Sequence, residues 1–196
     1  MIIIKTNNFL IIILSLFIIF FSISITYKNN QNKIQNQIIN LAEDPNTEYS
    51  IKSKNFNINV YIDIGEEQKK KHDLDYTDIK YTLKIENLTN KIIKNIKVIV
   101  FPDNKIKTYI KFGNLNFQTD NDKIYLHAAN NYEPYYSYTI YNKILTKDLR
   151  KMQIQDQENL YEALEKPIKV IIIWDKEKEN LLITEDKIKI TTYLEP

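Results

Sequence analysis

No cysteine occurs among the 196 residues. Its absence removes disulfides, a lipid-modified cysteine, thiol nucleophiles and Cys-ligated zinc together. Glycine is nearly as scarce, with only Gly65 and Gly113 present, so no glycine-rich phosphate loop can be built. Arginine is reduced to Arg150, and histidine to His72 and His127. The 27 basic residues are balanced by 25 acidic ones, for a formal net charge of +2. Lysine is interleaved with Asp and Glu along the chain, whereas nucleic-acid binders gather a basic stripe and use Arg for bidentate contacts. A nucleic-acid partner is therefore not expected. No Ser or Thr sits in a nucleophile motif, and nothing singles out a carboxylate pair. No catalytic residue, cofactor or enzymatic activity is expected.

What the chain does have begins with an uncharged apolar run, FLIIILSLFIIFFSISI, from Phe9 to Ile25. At 1.5 Å per residue these residues make roughly 26 Å of helix, close to the hydrocarbon thickness of a bilayer. In lipid the helix is the conformation that satisfies the backbone internally. Residues 1–8 are read as a cytoplasmic N-terminus and residues 9–26 as a transmembrane anchor or signal segment. The length favours an uncleaved anchor; cleavage near Ser24, within Ser22-Ile23-Ser24, is the alternative. Either way the following domain is exported. The expected location is the cell membrane, single-pass, with an extracytoplasmic C-terminal domain. Residues 27–47 form a polar stalk. Ile34, Ile38 and Leu41 fall at helical spacing, and Pro45 opposes helix in the residue before it. A spacer and a short helical dimerisation stalk both fit.

From residue 48 to 196 the dominant signal is period two. Phe56, Ile58, Val60, Ile62 and Ile64 alternate with Asn, Tyr and Asp, as in a strand with one wet and one packed face. Ile79, Tyr81, Leu83 and Ile85 repeat the scheme, and residues 92–101 make a third strand ending at Pro102. Shorter strands are expected over 107–112, 123–127 and 135–141. Residues 146–152 and 157–165 look helical, the first capped by Thr146 and the second carrying a Leu160, Tyr161, Leu164 stripe. Residues 168–174 are apolar on both faces and should be central. A turn over 175–180 and a strand over 187–194 complete an antiparallel β-sandwich with a short helical insert.

The passage YTLKIENLTNKIIKNIKVIV, Tyr81 to Val100, carries an aromatic, Tyr81, then Leu83 and Ile85, a strand-ending Asn87, and a return strand with Ile96, Val98 and Val100. It resembles bacterial membrane-anchored immunoglobulin-like β-sandwich modules of the cell-adhesion-related type. The resemblance implies a mainly β, immunoglobulin-like fold outside the membrane and transfers no site. No Gly follows Asn87, and the inter-sheet cysteine pair is missing.

Candidate sites are few. His72 and His127 show no zinc-ligand spacing. Asp73, Asp75 and Asp78 lack the Gly and terminal Glu of a calcium loop, so no metal site is expected, and Asp120-Asn121-Asp122 reads as a turn. Asn87-Leu88-Thr89 fits a glycosylation sequon. The richest stretch is Asn130 to Tyr141, where Tyr132, Tyr135, Tyr138 and Tyr141 form a candidate contact surface for an envelope protein or glycan, since Tyr brings apolar area and a hydroxyl at low entropic cost. Trp174 is expected in the core or at its rim. The function expected is a non-catalytic binding module of the cell envelope, in contact with the lipid bilayer through residues 9–26. The alternative is a structural subunit of a membrane complex packing through its N-terminal helix.

Overall fold

The computed structural model describes residues 17–19, 21–22, 47–71, 75–111, 117–118, 124–129 and 135–194, of which 124–125 and 135–141 are described by their backbone. The chain forms two compact units, Met1–Thr47 and Glu48–Pro196. In the first, the described residues 17–19 and 21–22 are helical, and Phe17, Ile18, Ile19 and Phe21 are exposed. Among the described residues no helix is long and apolar enough to cross a membrane. The rest of the 9–26 segment and nearly all of the 27–47 stalk lie outside the described residues.

The second unit is mainly β, with two sheets and few helices. In order it runs β1 (Phe56–Ile64), α1 (Glu66–Lys70), β2 (Asp78–Asn87), β3 (Ile93–Phe101), β4 (Phe117–Gln118), β5 (Ile124–Leu126), β6 (Tyr135–Ile144), α2 (Ile154–Glu165), β7 (Ile168–Trp174), β8 (Glu177–Ile183) and β9 (Ile188–Thr192). One sheet has the order β6-β2-β1-β9 and the other β4-β3-β7-β8, with β5 also paired to β3. Neighbours are antiparallel except β1 and β9, which run parallel from Val60↔Ile188 to Ile64↔Thr192.

The alternating residues explain why the sheets face each other. All five even positions of β1 are buried, as are Ile79, Tyr81, Leu83 and Ile85 of β2. They share one core with Ile96, Val98 and Val100 of β3, Val170, Ile172 and Trp174 of β7, and Leu181 and Ile183 of β8. Phe56 meets Trp174 edge-on across the two sheets, ring centroids 4.9 Å apart. Tyr81 and Phe117 join them again at 5.5 Å. Each aliphatic side chain fully buried there contributes about 1.5–3 kcal/mol.

Both chain ends of this unit change sheet. Ser50 bridges in parallel to Leu181 of β8, its N–H donating to Asn180 O at 3.0 Å. The chain then crosses at Ser53, whose Oγ accepts from Asn55 N and Phe56 N and bonds Glu179. After β8 a 3-10 turn, Glu185–Lys187, carries the chain back to lie beside β1 as β9.

Three local expectations give way to the structure, and one element is added. Of the strand expected over 107–112, the described residues 107–111 form none: the Asp103 carboxylate accepts from Lys105 N at 2.8 Å and starts a 3-10 turn, Asn104–Tyr109, that buries Ile106. Only Ile110 keeps a bridge, to Leu145. Residues 146–152 hold just a 3-10 turn, Leu149–Lys151, begun by Asp148 rather than Thr146. Residues 175–180 contain a two-residue turn, Asp175–Lys176, and then the start of β8. The charged Glu177, Lys178 and Glu179 lie where β8 is wet, and its buried residues begin at Leu181. The short helix α1 was not anticipated; it follows Gly65, whose φ of 75° is a left-handed conformation that suits glycine.

Candidate functional site

A depression at one end of the sandwich is assembled where the chain leaves β6. Beyond Ile144, the N–H of Thr146 donates to Tyr109 O at 2.7 Å, and Lys111 N donates to Ile144 O at 2.9 Å. The Asn104–Tyr109 turn is therefore tied to the exit of β6. Helix α2 packs against the same turn, with Leu160, Ala163 and Leu164 in the core and the opposite face wet. Gln157 Nε2 donates to Leu149 O at 3.0 Å and Met152 O at 3.2 Å, locking α2 to the second 3-10 turn.

Beneath that turn lies a buried polar network. The Asp148 carboxylate accepts from Arg150 Nη2 at 2.7 Å, Arg150 Nε at 3.1 Å, Arg150 N at 3.0 Å and Gln68 Nε2 at 3.1 Å. Thr77 Oγ1 accepts from Leu149 N at 2.9 Å and donates to Gln68 Oε1 at 3.1 Å. Gln68, Thr77 and Asp148 are all buried. The Arg150 guanidinium holds the Asp148 carboxyl down at about 2, as charge-assisted donors do. The network fixes the loop that borders the depression.

Two adjoining clefts result. One, about 280 Å³, is bounded by Lys105, Thr108, Tyr109, Asn159 and Glu162. The other, about 300 Å³, is bounded by Thr108, Tyr109, Thr146, Lys147, Met152 and Asp156. Thr108 and the half-buried Tyr109 are shared. Among the described residues each cleft's lining holds one lysine and one carboxylate. In the first, Lys105 Nζ stands 3.9 Å from Glu162, which Lys166 also approaches at 3.3 Å.

The residues singled out by sequence fall elsewhere. Tyr132 lies outside the described residues, as do His72, Asp73 and Asp120-Asn121-Asp122. Tyr135, Tyr138 and Tyr141 belong to β6, at one end of its sheet order, where the ladder sets Tyr135 opposite Glu86, Tyr138 opposite Leu83 and Tyr141 opposite Tyr81. Asp75 is exposed, whereas Asp78 is buried and accepts from Glu67 N at 3.1 Å. Its second oxygen is buried with no hydrogen-bond partner among the described residues, and desolvation raises its pKa. Among the described residues no group of three metal-ligating side chains gathers. Trp174 is in the core.

Asn87 is a turn lock. Its Nδ2 donates to Lys91 O at 2.7 Å and His127 O at 2.9 Å, while its Oδ1 accepts from Thr89 N at 2.9 Å and Thr89 Oγ1 at 2.8 Å. The amide that a sequon would offer for modification is wholly buried. The cleft residues escape the sequence pattern because it puts a strand over 107–112 and a helix over 146–152, where the described residues form 3-10 turns. The usable signals were Pro102-Asp103 and Asp148, each a carboxylate two residues before the backbone N–H that it accepts from.

Comparison with known proteins adds little. No family model matches the chain, and no curated protein matches it. Among solved structures, the ligand-binding region of serine-glutamate repeat protein A of Enterococcus faecium aligns over 70% of this chain and 98% of its own. The identity is 9% and the TM-score 0.28, a likeness too slight to build on.

Proposed function

We propose that the chain is a membrane-anchored, extracytoplasmic binding module of the cell envelope, non-catalytic, built on an immunoglobulin-type sandwich. Support for the frame comes from strand order. β1, β2 and β6 share one sheet, β3, β7 and β8 the other, the division of first, second and fifth against third, sixth and seventh strands in seven-stranded immunoglobulin domains when the short β4 and β5, both paired with β3, together count as the fourth strand. The leading segment runs parallel to β8 at Ser50. Support for the anchor is the uncharged run within residues 9–26, together with the exposed Phe17, Ile18, Ile19 and Phe21, side chains that gain by leaving water for lipid.

The observation that carries the binding reading is β6. It is ten residues long, terminal in its sheet among the described residues, and free of charge from Tyr135 through Asn142. Edges not used for contact are ordinarily short, charged or covered. β9 is short and carries Lys189. β8 opens with Glu177, Lys178 and Glu179 and is flanked by Ser50. Tyr132, Tyr135, Tyr138 and Tyr141 in and before β6 are the contact residues of this reading, for an envelope protein or glycan.

The test is affinity capture with the tagged full chain, solubilised in mild detergent, from envelope extracts. A specific partner should be retained, and its recovery should fall at least fivefold with Tyr135→Ala and Tyr138→Ala combined. Replacement of residues 1–26 by an unrelated anchor should leave capture intact. Loss of capture on that replacement would favour a subunit packing through its N-terminal helix, and no specific capture at all would refute the module.

A further inference from the structure

We infer that the two clefts flanking Tyr109 bind a neutral oligosaccharide at least two sugar units long. The inference rests on the reading of the chain as a binding module and assigns that module a second site and a ligand class. Tyr109 and Thr108 line both clefts, so one ligand occupying both must pass over them. The two volumes, about 280 Å³ and 300 Å³, sit at the lower end for small-molecule sites, too small singly for a large ligand.

Charge selects the ligand class. Lys105 faces Glu162 in one cleft, and Lys147 accompanies Asp156 in the other. Among the described residues each lining sets a carboxylate beside its lysine, Glu162 being shared with Lys166 at 3.3 Å, and neither gathers the cluster of cations that holds a phosphate or carboxylate. A peptide strand would want a sheet edge or apolar sockets. Here Met152 is buried and, among the described residues, Tyr109 is the one aromatic in the lining. What the clefts do offer is an aromatic body with a hydroxyl, flanked by the Asn159 amide, two carboxylates, two ammonium groups and the Thr108 and Thr146 hydroxyls. That mixture suits a ligand with C–H faces and vicinal hydroxyls, each of which both donates and accepts.

The site is also held in shape before any ligand arrives. Thr108 Oγ1 donates to Lys105 O at 2.8 Å, leaving its lone pairs turned to acceptance. Gln157 and the Asp148 network fix the Thr146–Met152 border from below. Preorganisation of this kind lowers the ordering cost of binding.

The full chain in mild detergent is applied to an array of neutral and anionic oligosaccharides, and cellotriose, maltotriose and chitotriose are titrated calorimetrically. At least one neutral oligosaccharide should bind, at least tenfold more tightly than its monosaccharide. Tyr109→Ala should raise Kd at least tenfold, Tyr109→Phe less than threefold, and Asn159→Ala at least threefold. Should Tyr109→Ala fail to fold, the exposed Asn159→Ala and Glu162→Gln variants decide alone. Binding confined to anionic glycans, no neutral binding, or affinity indifferent to Asn159 and Glu162 would overturn the inference. Absent glycan binding beside partner capture sensitive to Tyr135 and Tyr138 would remove this site and leave the module standing; loss of both would remove both.

Discussion

Asn87 shows how a single side chain can read as one thing in sequence and do another in the fold. Within Asn-Leu-Thr it has the form of a modification site, yet its amide ties the β2–β3 turn to Lys91 O and His127 O. Asn87→Asp would turn an anionic oxygen toward those carbonyls. Chemical denaturation should show a loss of about 2–4 kcal/mol, the cost of breaking buried hydrogen bonds to leave unsatisfied groups; an unchanged midpoint would contradict the lock. Left-handed backbone falls on Asn95 (φ 53°) and Asp175 (φ 47°), whose side chains bond each other at 2.9 Å. In a chain with two glycines, Asn and Asp take such positions because their short polar side chains tolerate them. Gly65 is different: a Cβ there would come within 2.5 Å of Leu194 Cγ. Gly65→Ala should lower the melting temperature by strain at φ 75° and by displacing Leu194, whereas Gly113, outside the described residues, sets no such expectation. Asp148 adds a pH term. Its folded pKa, about 2, lies below the ordinary 3.8, so its contribution is complete above the unfolded value and is lost as pH falls from near 4 toward 2. Asp148→Asn should flatten that part of the acid limb in pH-dependent denaturation, and a limb as steep as that of the parent would contradict the pairing with Arg150.

At the scale of elements, legibility followed how strongly burial alternated. β1 and β2 could be read almost to the residue because apolar, buried residues alternate along each, and β3 follows the same pattern from Ile96 onward, beyond the exposed Lys94 and Asn95. β7, apolar on both faces, declared its central place between β3 and β8. β8 was hidden because its first residues are charged and only Leu181 and Ile183 are buried. The 3-10 turns at Asn104–Tyr109 and Leu149–Lys151 were hidden because two short carboxylate caps, not periodicity, set them. The clefts depend on these same turns, so the pattern that exposed the sheets could not expose the site. Helix α2 was found, although it begins at Ile154 rather than Gln157. It holds one wall of the clefts through Leu160, Ala163 and Leu164. Leu164→Ala should cost about 2–5 kcal/mol by leaving a cavity, measured by denaturant unfolding. A loss under 0.5 kcal/mol would mean that α2 is not seated on the core.

Across the whole molecule, alternating strands pointed to a sandwich and the missing cysteine to one stabilised by its hydrophobic core, and two sheets closing on one core are what folds. Strand order was not legible, because period two fixes which face of a strand is buried but not which neighbour it pairs with. Both ends of the second unit change sheets, and no local pattern marks a switch made by Ser50, Ser53 and a single 3-10 turn. The proposed function joins this sandwich to the apolar run of residues 9–26 and, on that proposal, sets it outside the cell. Protease treatment of intact cells expressing the full chain with a C-terminal tag tests that union most directly. The account predicts that the tag and the β-rich unit are digested while cytoplasmic controls survive. A tag that stays protected until the cells are lysed would contradict it.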